Sequence, residues 1–176
     1  WMIEYISRSK IKTFNLINFA FYIFYFPFVS AGPAENPEII SKNSIELNLD
    51  IFLEAIGRIS LGSIYIVVFQ ILLEKLFLIN SLPVVLVPLK TLGILYLNLA
   101  GYSHIAIGTS LLFGIKLAEN FDSPWLSKDY SEFWKRWHIS LMKFANENFF
   151  FPLFKLFKGN QNLAIFFTLF FTGLWH

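Results

Sequence analysis

The chain has 176 residues, of which 56% are hydrophobic, 19% aromatic and 15% charged, with a mean hydropathy of +0.57. Soluble domains carry about a quarter charged residues, so these values exclude an ordinary water-soluble globule and make an all-α, polytopic membrane protein the expectation. The net charge of +2 comes from Lys and Arg residues flanking apolar runs rather than forming a stripe, which argues against a nucleic-acid partner, and the absence of Cys excludes disulfides, thiolate metal sites and a cysteine nucleophile.

In chain order, the first charge-free run extends from Thr13 to Ala34. It is long enough to cross a bilayer, but Pro27, Gly32 and Pro33 interrupt its second half. A helix over Phe14–Phe26 followed by irregular backbone is expected, either as a re-entrant segment or as a full crossing. No small-residue cleavage site precedes the Pro and Gly cluster, so a cleavable signal peptide is not expected. Residues Glu35 to Asp50 are polar and predict an interfacial loop.

From Ile51 the pattern turns helical. Phe52, Ala55, Ile56 and Ile59 share a face, and Glu54 and Arg58 form an i,i+4 pair. The apolar run from Ile59 to Leu73 predicts a span ending near Asn80. Thr91 to Ile115 lacks formal charge and predicts a second span. Within it Ala100, Gly101, Ser103, Ala106 and Gly108 suit close helix contact, or a functional surface. His104 lies in the same stretch, where an ionisable side chain is costly and faces the bundle interior. It is either a site residue or a neutral imidazole bonded to Tyr102 or a carbonyl.

Lys116 to Asp129 predicts a polar loop with Trp125 at the interface. Tyr130 to about Phe149 predicts one helix, with Trp134, Trp137, His138 and Leu141 on one stripe and Lys135, Arg136 and Lys143 away from it. Such a helix lies flat in the membrane interface. Phe149 to Gly159 re-enters the apolar layer, and Asn162 to His176 begins a further span. Basic residues before Thr13 and from Lys116 to Lys158 place both regions on the cytoplasmic side by the positive-inside bias, so an even number of crossings separates them, which favours a re-entrant first segment plus two full spans. The last apolar run is still going at His176, which predicts that residues 1–176 are a single membrane-embedded domain and part of a longer chain.

The candidate chemistry rests on His138 and His176, since neutral histidine is the usual general base near neutral pH. The alternative for each is a core histidine satisfied by a backbone carbonyl. Three histidines without clustered spacing give no zinc pattern, and no nucleophile elbow is present. Residue types and spacing alone therefore reach intramembrane histidines without a reaction.

The stretch from Gly101 to Leu141, with its ENF–P block (Glu119 to Pro124) and EFWKRWHISL block (Glu132 to Leu141), followed by GLWH (Gly173 to His176), resembles the membrane-bound O-acyltransferase family. YFPFVSAGPAENP, residues Tyr25 to Pro37, is similar to that family's FPxxxxGPI segment. The likeness is to the bacterial branch that O-acetylates alginate or transfers D-alanine to teichoic acid. It implies a ring of helices around a funnel, in which a cytoplasmic donor meets an exported acceptor. It implies His176 as the catalytic residue and His138 beside the reaction path. Trp134, Arg136, Trp137 and His104 would line the donor path, with Arg136 contacting a donor phosphate or anchoring at headgroups.

The implied activity is transfer of an acyl group, most simply acetyl, to hydroxyls of an exported polysaccharide or cell-wall polymer. The donor would be acetyl-CoA or an acyl-carrier thioester, used as substrate, with no bound cofactor and no metal. The implied setting is the cytoplasmic membrane, multi-pass, with acyl-carrier or accessory export proteins as partners. D-alanyl transfer, a transporter with proton-relaying histidines and a non-enzymatic scaffold are the alternatives. Two departures from the family pattern stand out. His104 occupies a position where relatives have Asp or an apolar residue, and LMKFANENFFFPL replaces a Trp-Leu-Arg-Asp-Tyr type run.

Overall fold

The computed structural model describes residues 44–69, 71–73, 75 and 86–175, and for Trp175 the backbone alone. The expected re-entrant segment, the Tyr25 to Pro37 motif and His176 lie outside these residues. Helices dominate the described residues, and the only β pairing among them is an isolated bridge between Ser44 and Ile115. The all-α expectation is met. The chain divides into two compact units, one ending at Glu119 and the other running from Asn120 to His176.

In the first unit, α1 spans Leu49–Ser63 and continues as a wider π-helical stretch over Ile64–Phe69. Asn48 starts it: its side-chain oxygen accepts the Ile51 N–H at 2.9 Å, satisfying one of the orphan donors of the first turn. The continuous helix Leu49–Leu73 is, among the described residues, the one long and apolar enough to cross a membrane. Its 25 residues reach about 37 Å at 1.5 Å per residue. α2 spans Val87–Leu112, four residues earlier at its start than the charge-free run suggested, with Pro88 in its first turn.

Gly114 ends α2. With φ +71° it takes the left-handed conformation, its N–H donates to the Leu111 carbonyl, and the Ile115 N–H donates to the Ser110 carbonyl, both at 2.9 Å. This pair of bonds is the Schellman closure that glycine permits. The same turn meets the segment that leads into α1, where the Ile45 N–H donates to the Gly114 carbonyl at 2.7 Å.

α1 and α2 pack through small residues. Ala100, Gly101, Ser103, Ala106 and Gly108 are all buried on α2, opposite Ala55 and Gly62 of α1. A Cβ on Gly62 would collide with the Gly101 carbonyl, and one on Gly108 would stand 2.6 Å from the Ala55 carbonyl. The stripe is thus a helix-packing face, the plainer of the two readings of its composition. Ile107, Leu111 and Leu117 close the adjoining core around Ala55.

Hydroxyls along these helices turn back onto the preceding turn: Thr109 donates to the Ile105 carbonyl and Ser110 to the Ala106 carbonyl. That satisfies polar atoms where lipid or packed protein offers no water. Many large apolar side chains stay exposed, among them Leu53, Val67, Leu89, Phe166 and Leu169, as expected of surfaces meeting lipid.

In the second unit a 3₁₀ turn, Pro124–Leu126, precedes α3 (Tyr130–Arg136) and α4 (Ile139–Ala145). A π-helical stretch, Asn146–Phe150, leads into α5 (Phe151–Leu156), and α6 spans Gln161–Trp175. α6 packs through aromatic stacking, Phe157 on Phe167 at 5.3 Å and Phe149 on Phe171 at 6.2 Å between centroids. The single interfacial helix expected from Tyr130 to Phe149 is corrected here. It is two seven-residue helices separated by a sharp break at Trp137 and His138.

Candidate functional site

The break in the second unit is built by local chemistry on both sides. α3 opens on a variant of the capping box: Asp129 Oδ1 accepts the Glu132 N–H, and Glu132 Oε2 accepts the N–H of Lys128, one residue before the N-cap, both at 2.8 Å. Glu132 Oε1 also takes two bonds from Arg136, 3.1 Å from Nε and 2.7 Å from Nη2. The Lys128 N–H and then the Arg136 guanidinium hold the Glu132 carboxyl below its ordinary value of 4.5. Arg136 further donates to the Asp122 carbonyl at 3.3 Å and lies 3.7 Å from the Asp122 carboxylate. Its guanidinium therefore ties α3 to the loop before it.

Trp137 leaves the helix with extended backbone and is 7% exposed. Its ring stacks on Phe133 at 5.4 Å and meets the edges of Phe121 at 5.4 Å and Trp125 at 5.9 Å. Trp134 packs against Phe133 and Tyr130. Such edge and offset contacts add roughly 0.5–1.5 kcal/mol per pair beyond area burial, so the aromatic cluster is a firm platform for the next residue.

That residue is His138. Its backbone sits at φ +45°, ψ +56°, the left-handed region. For a residue with a Cβ this conformation costs about 1–2 kcal/mol and persists only where surrounding contacts impose it. The imidazole Nδ1 is shielded from solvent, and the ring lies 5.8 Å from that of Phe121.

The two residues after His138 are held by Asn120, which is fully buried. Its backbone carbonyl accepts the Ile139 N–H at 2.9 Å. Its side-chain Oδ1 accepts the Ser140 N–H at 3.2 Å and the Ser140 hydroxyl at 2.9 Å. α4 thus begins on donors satisfied by a residue twenty positions earlier, rather than by its own N-cap, since His138 makes no side-chain cap bond. Sequence reasoning assigned Asn120 no role. The ENF–P block that contains it was the available signal.

His104 belongs to the first unit. Its Nδ1 lies 3.2 Å from Arg58 Nη1 and its ring meets Tyr65 edge-on at 5.6 Å. Arginine only donates, so Nδ1 accepts and the imidazole proton sits on Nε2. Arg58 and Tyr65 are therefore its neighbours, in place of the expected Tyr102 or carbonyl. Arg58 in turn grips Glu119 with both guanidinium nitrogens, one bond measuring 2.8 Å, and lies 3.7 Å from Glu54. The i,i+4 pair exists, but Glu119 is the principal partner, and it too belongs to the ENF–P block.

An open cleft of about 320 Å³ lies along α4, lined by Lys135, Ile139, Met142, Lys143, Asn146, Glu147 and Phe151. Trp134, Arg136, Trp137 and His138 are gathered at the α3–α4 break instead. Among the described residues no group of three His, Asp or Glu is arranged to hold a metal ion.

The family model described as MBOAT, membrane-bound O-acyltransferase family, matches residues 6–176. The chain is 33% identical over its whole length to the probable alginate O-acetylase AlgI of Pseudomonas putida, covering 39% of that protein. It is 30% identical to the teichoic acid D-alanyltransferase of Streptococcus thermophilus, over 99% of the chain and 48% of the relative. It is 29% identical to the peptidoglycan O-acetyltransferase of Helicobacter pylori, over 92% of the chain and 34% of the relative. The chain therefore spans less than half the length of these curated relatives.

Proposed function

As the chain belongs to the membrane-bound O-acyltransferase family, we propose that it is part of an enzyme that O-acylates an exported polysaccharide or cell-wall polymer in the cytoplasmic membrane. The observation that carries this reading is the match along essentially the whole chain to acyltransferases of three envelope polymers. Acetyl is the acyl group favoured, since two of these three relatives are named for acetyl transfer.

In the proposed reaction His176 takes the proton of an acceptor hydroxyl as its oxygen attacks the acyl carbonyl of a thioester such as acetyl-CoA or a carrier-bound acyl group. The new C–O bond forms, the C–S bond breaks, and the imidazolium returns its proton to the departing thiolate. A thioester is activated enough for base, positioning and oxyanion stabilisation to suffice. His138 stands beside this path. The strained backbone that carries it supports a site role, because such strain concentrates where function demands a fixed geometry. Trp134 and Trp137 form the donor-side wall and Arg136 holds α3 in place beside them, while for His104 the family likeness alone suggests a place on the donor path. The helical ring, multi-pass topology and carrier or export partners implied by the family complete the proposal.

The test is His176→Ala in the complete protein, with alkali-labile esters on the surface polymer measured in cells. Loss of ester with the protein still in the membrane is expected. Unchanged ester content would overturn the reading. The likeness to a D-alanyltransferase favours a second acyl group, and mass analysis of the released acid separates acetate from D-alanine.

A further inference from the structure

We propose that Asn120 is the positioning residue for His138, setting the left-handed turn that aims its imidazole; this rests on the reading above that His138 stands at the reaction path. Asn120 is fully buried, and all three of its bonds described above fall on the two residues directly after His138, Ile139 and Ser140. A clamp at that point decides the backbone angles of the residue before it. Once the Ile139 and Ser140 amides are committed to Asn120, the chain leaving Trp137 in extended form must turn through one left-handed residue to start α4. His138 occupies that residue.

An ordinary helix cap does not require this arrangement. A Ser, Thr, Asp or Asn at position 138 would cap α4 locally from its own side chain. Here the cap is supplied from Asn120, which leaves the side chain at 138 out of capping. The platform of Phe121, Trp125, Phe133 and Trp137 fixes the other side of the turn. Asn120 and Phe121 thus act in sequence, one on the backbone after the histidine and the other against its ring.

The experiment uses the complete protein in its native membrane and reads alkali-labile acyl esters on the surface polymer, per molecule of folded protein. Folded protein is quantified by size exclusion in detergent, and the thermal midpoint is recorded for each variant. Asn120→Ala is expected to lower the specific rate by on the order of 10- to 100-fold, the range a misplacement near 1 Å produces. Asn120→Asp keeps an oxygen that accepts from Ser140 and is expected to restore most of the rate. Ser140→Ala removes the hydroxyl bond while its N–H bond to Asn120 remains, so its rate falls between those of the wild type and Asn120→Ala.

A wild-type specific rate in Asn120→Ala overturns the proposal. So does an Asn120→Asp variant that is folded yet no more active than the alanine. Where Asn120→Ala leaves no folded protein, Ser140→Ala decides alone: an unchanged specific rate overturns the proposal, and a lowered one supports it. His138→Ala in the same assay keeps the two questions apart. If it retains the full rate, the role of His138 itself fails. If it loses the rate while Asn120→Ala does not, only the positioning role fails.

Discussion

Arg58 and Glu119, 61 positions apart in the chain, hold one another through both terminal guanidinium nitrogens and both carboxylate oxygens. The pair ties the middle of α1 to the loop after α2, and the same guanidinium reaches His104. Two-pronged geometry of this kind is stronger than a single contact between point charges.

Breaking it one partner at a time is expected to cost more than removing it whole. Hydrogen bonds to charged groups contribute about 1.5–3 kcal/mol, and partial exposure of both side chains reduces this. Glu119→Gln and Arg58→Lys are each expected to lower stability by about 1–2 kcal/mol, lysine because it lacks the planar fork. The double change Arg58→Leu with Glu119→Leu recovers part of that loss, since neither side chain is then left without its charged partner. Thermal unfolding of the complete protein in detergent reads all three, and an additive double variant would contradict this account.

Two glycines of α1 give opposite expectations. Nothing lies within 4 Å of a Cβ built on Gly57, whereas one on Gly62 runs into the Gly101 carbonyl. Gly57→Ala is therefore expected to stabilise by about 0.5–1 kcal/mol through helix propensity. Gly62→Ala, forcing two backbones apart, is expected to destabilise by about 1–3 kcal/mol. The same detergent melt ranks them, and a stabilising Gly62→Ala would mean that α1 and α2 do not pack as described.

What was legible in the sequence follows from periodicity and residue size. The small-residue stripe from Ala100 to Gly108 suited close packing or a functional surface, and it is buried against α1. The resemblance carried by ENF–P, WHIS and GLWH is matched by the family comparison over residues 6–176. The break at His138 was not legible, because Trp134, Trp137, His138 and Leu141 satisfy helical spacing perfectly well. A single left-handed residue leaves no mark in hydrophobic periodicity, and its cause, Asn120, lies in a separate block. Glu119 was missed for a related reason: Arg58 already had a local partner in Glu54, and nothing in spacing points to a partner beyond α2. His176 and the segment from Tyr25 to Pro37 lie outside the described residues, so the roles given to them rest on family likeness.

The Glu132 carboxyl provides a pH handle on α3. Its value is lowered in the folded protein, first by the Lys128 N–H and then by Arg136. A lowered carboxyl contributes stability that is present above its unfolded value and is lost as pH falls through the folded one. The start of α3 is thus expected to loosen below the ordinary glutamate value of 4.5. Amide hydrogen exchange at Lys128 and Glu132 should quicken in that range beyond the intrinsic pH dependence of exchange. Glu132→Gln, which does not titrate, should remove that excess; an excess that survives the substitution would assign it to another group.

His138 offers a separation of strain from chemistry. Its left-handed backbone at φ +45° penalises any side chain bearing a Cβ and leaves glycine unpenalised. His138→Gly is therefore expected to be more stable than His138→Ala by about 1 kcal/mol, the reverse of what a helix interior would give. Both variants lack the imidazole, so both are expected to lose acyl-ester formation in the complete protein. Stability should then separate the two variants while activity does not, as expected when a backbone conformation is maintained for the group it presents. If alanine proves the more stable of the two, residue 138 sits in ordinary helical backbone and the break between α3 and α4 is not where the turn is made.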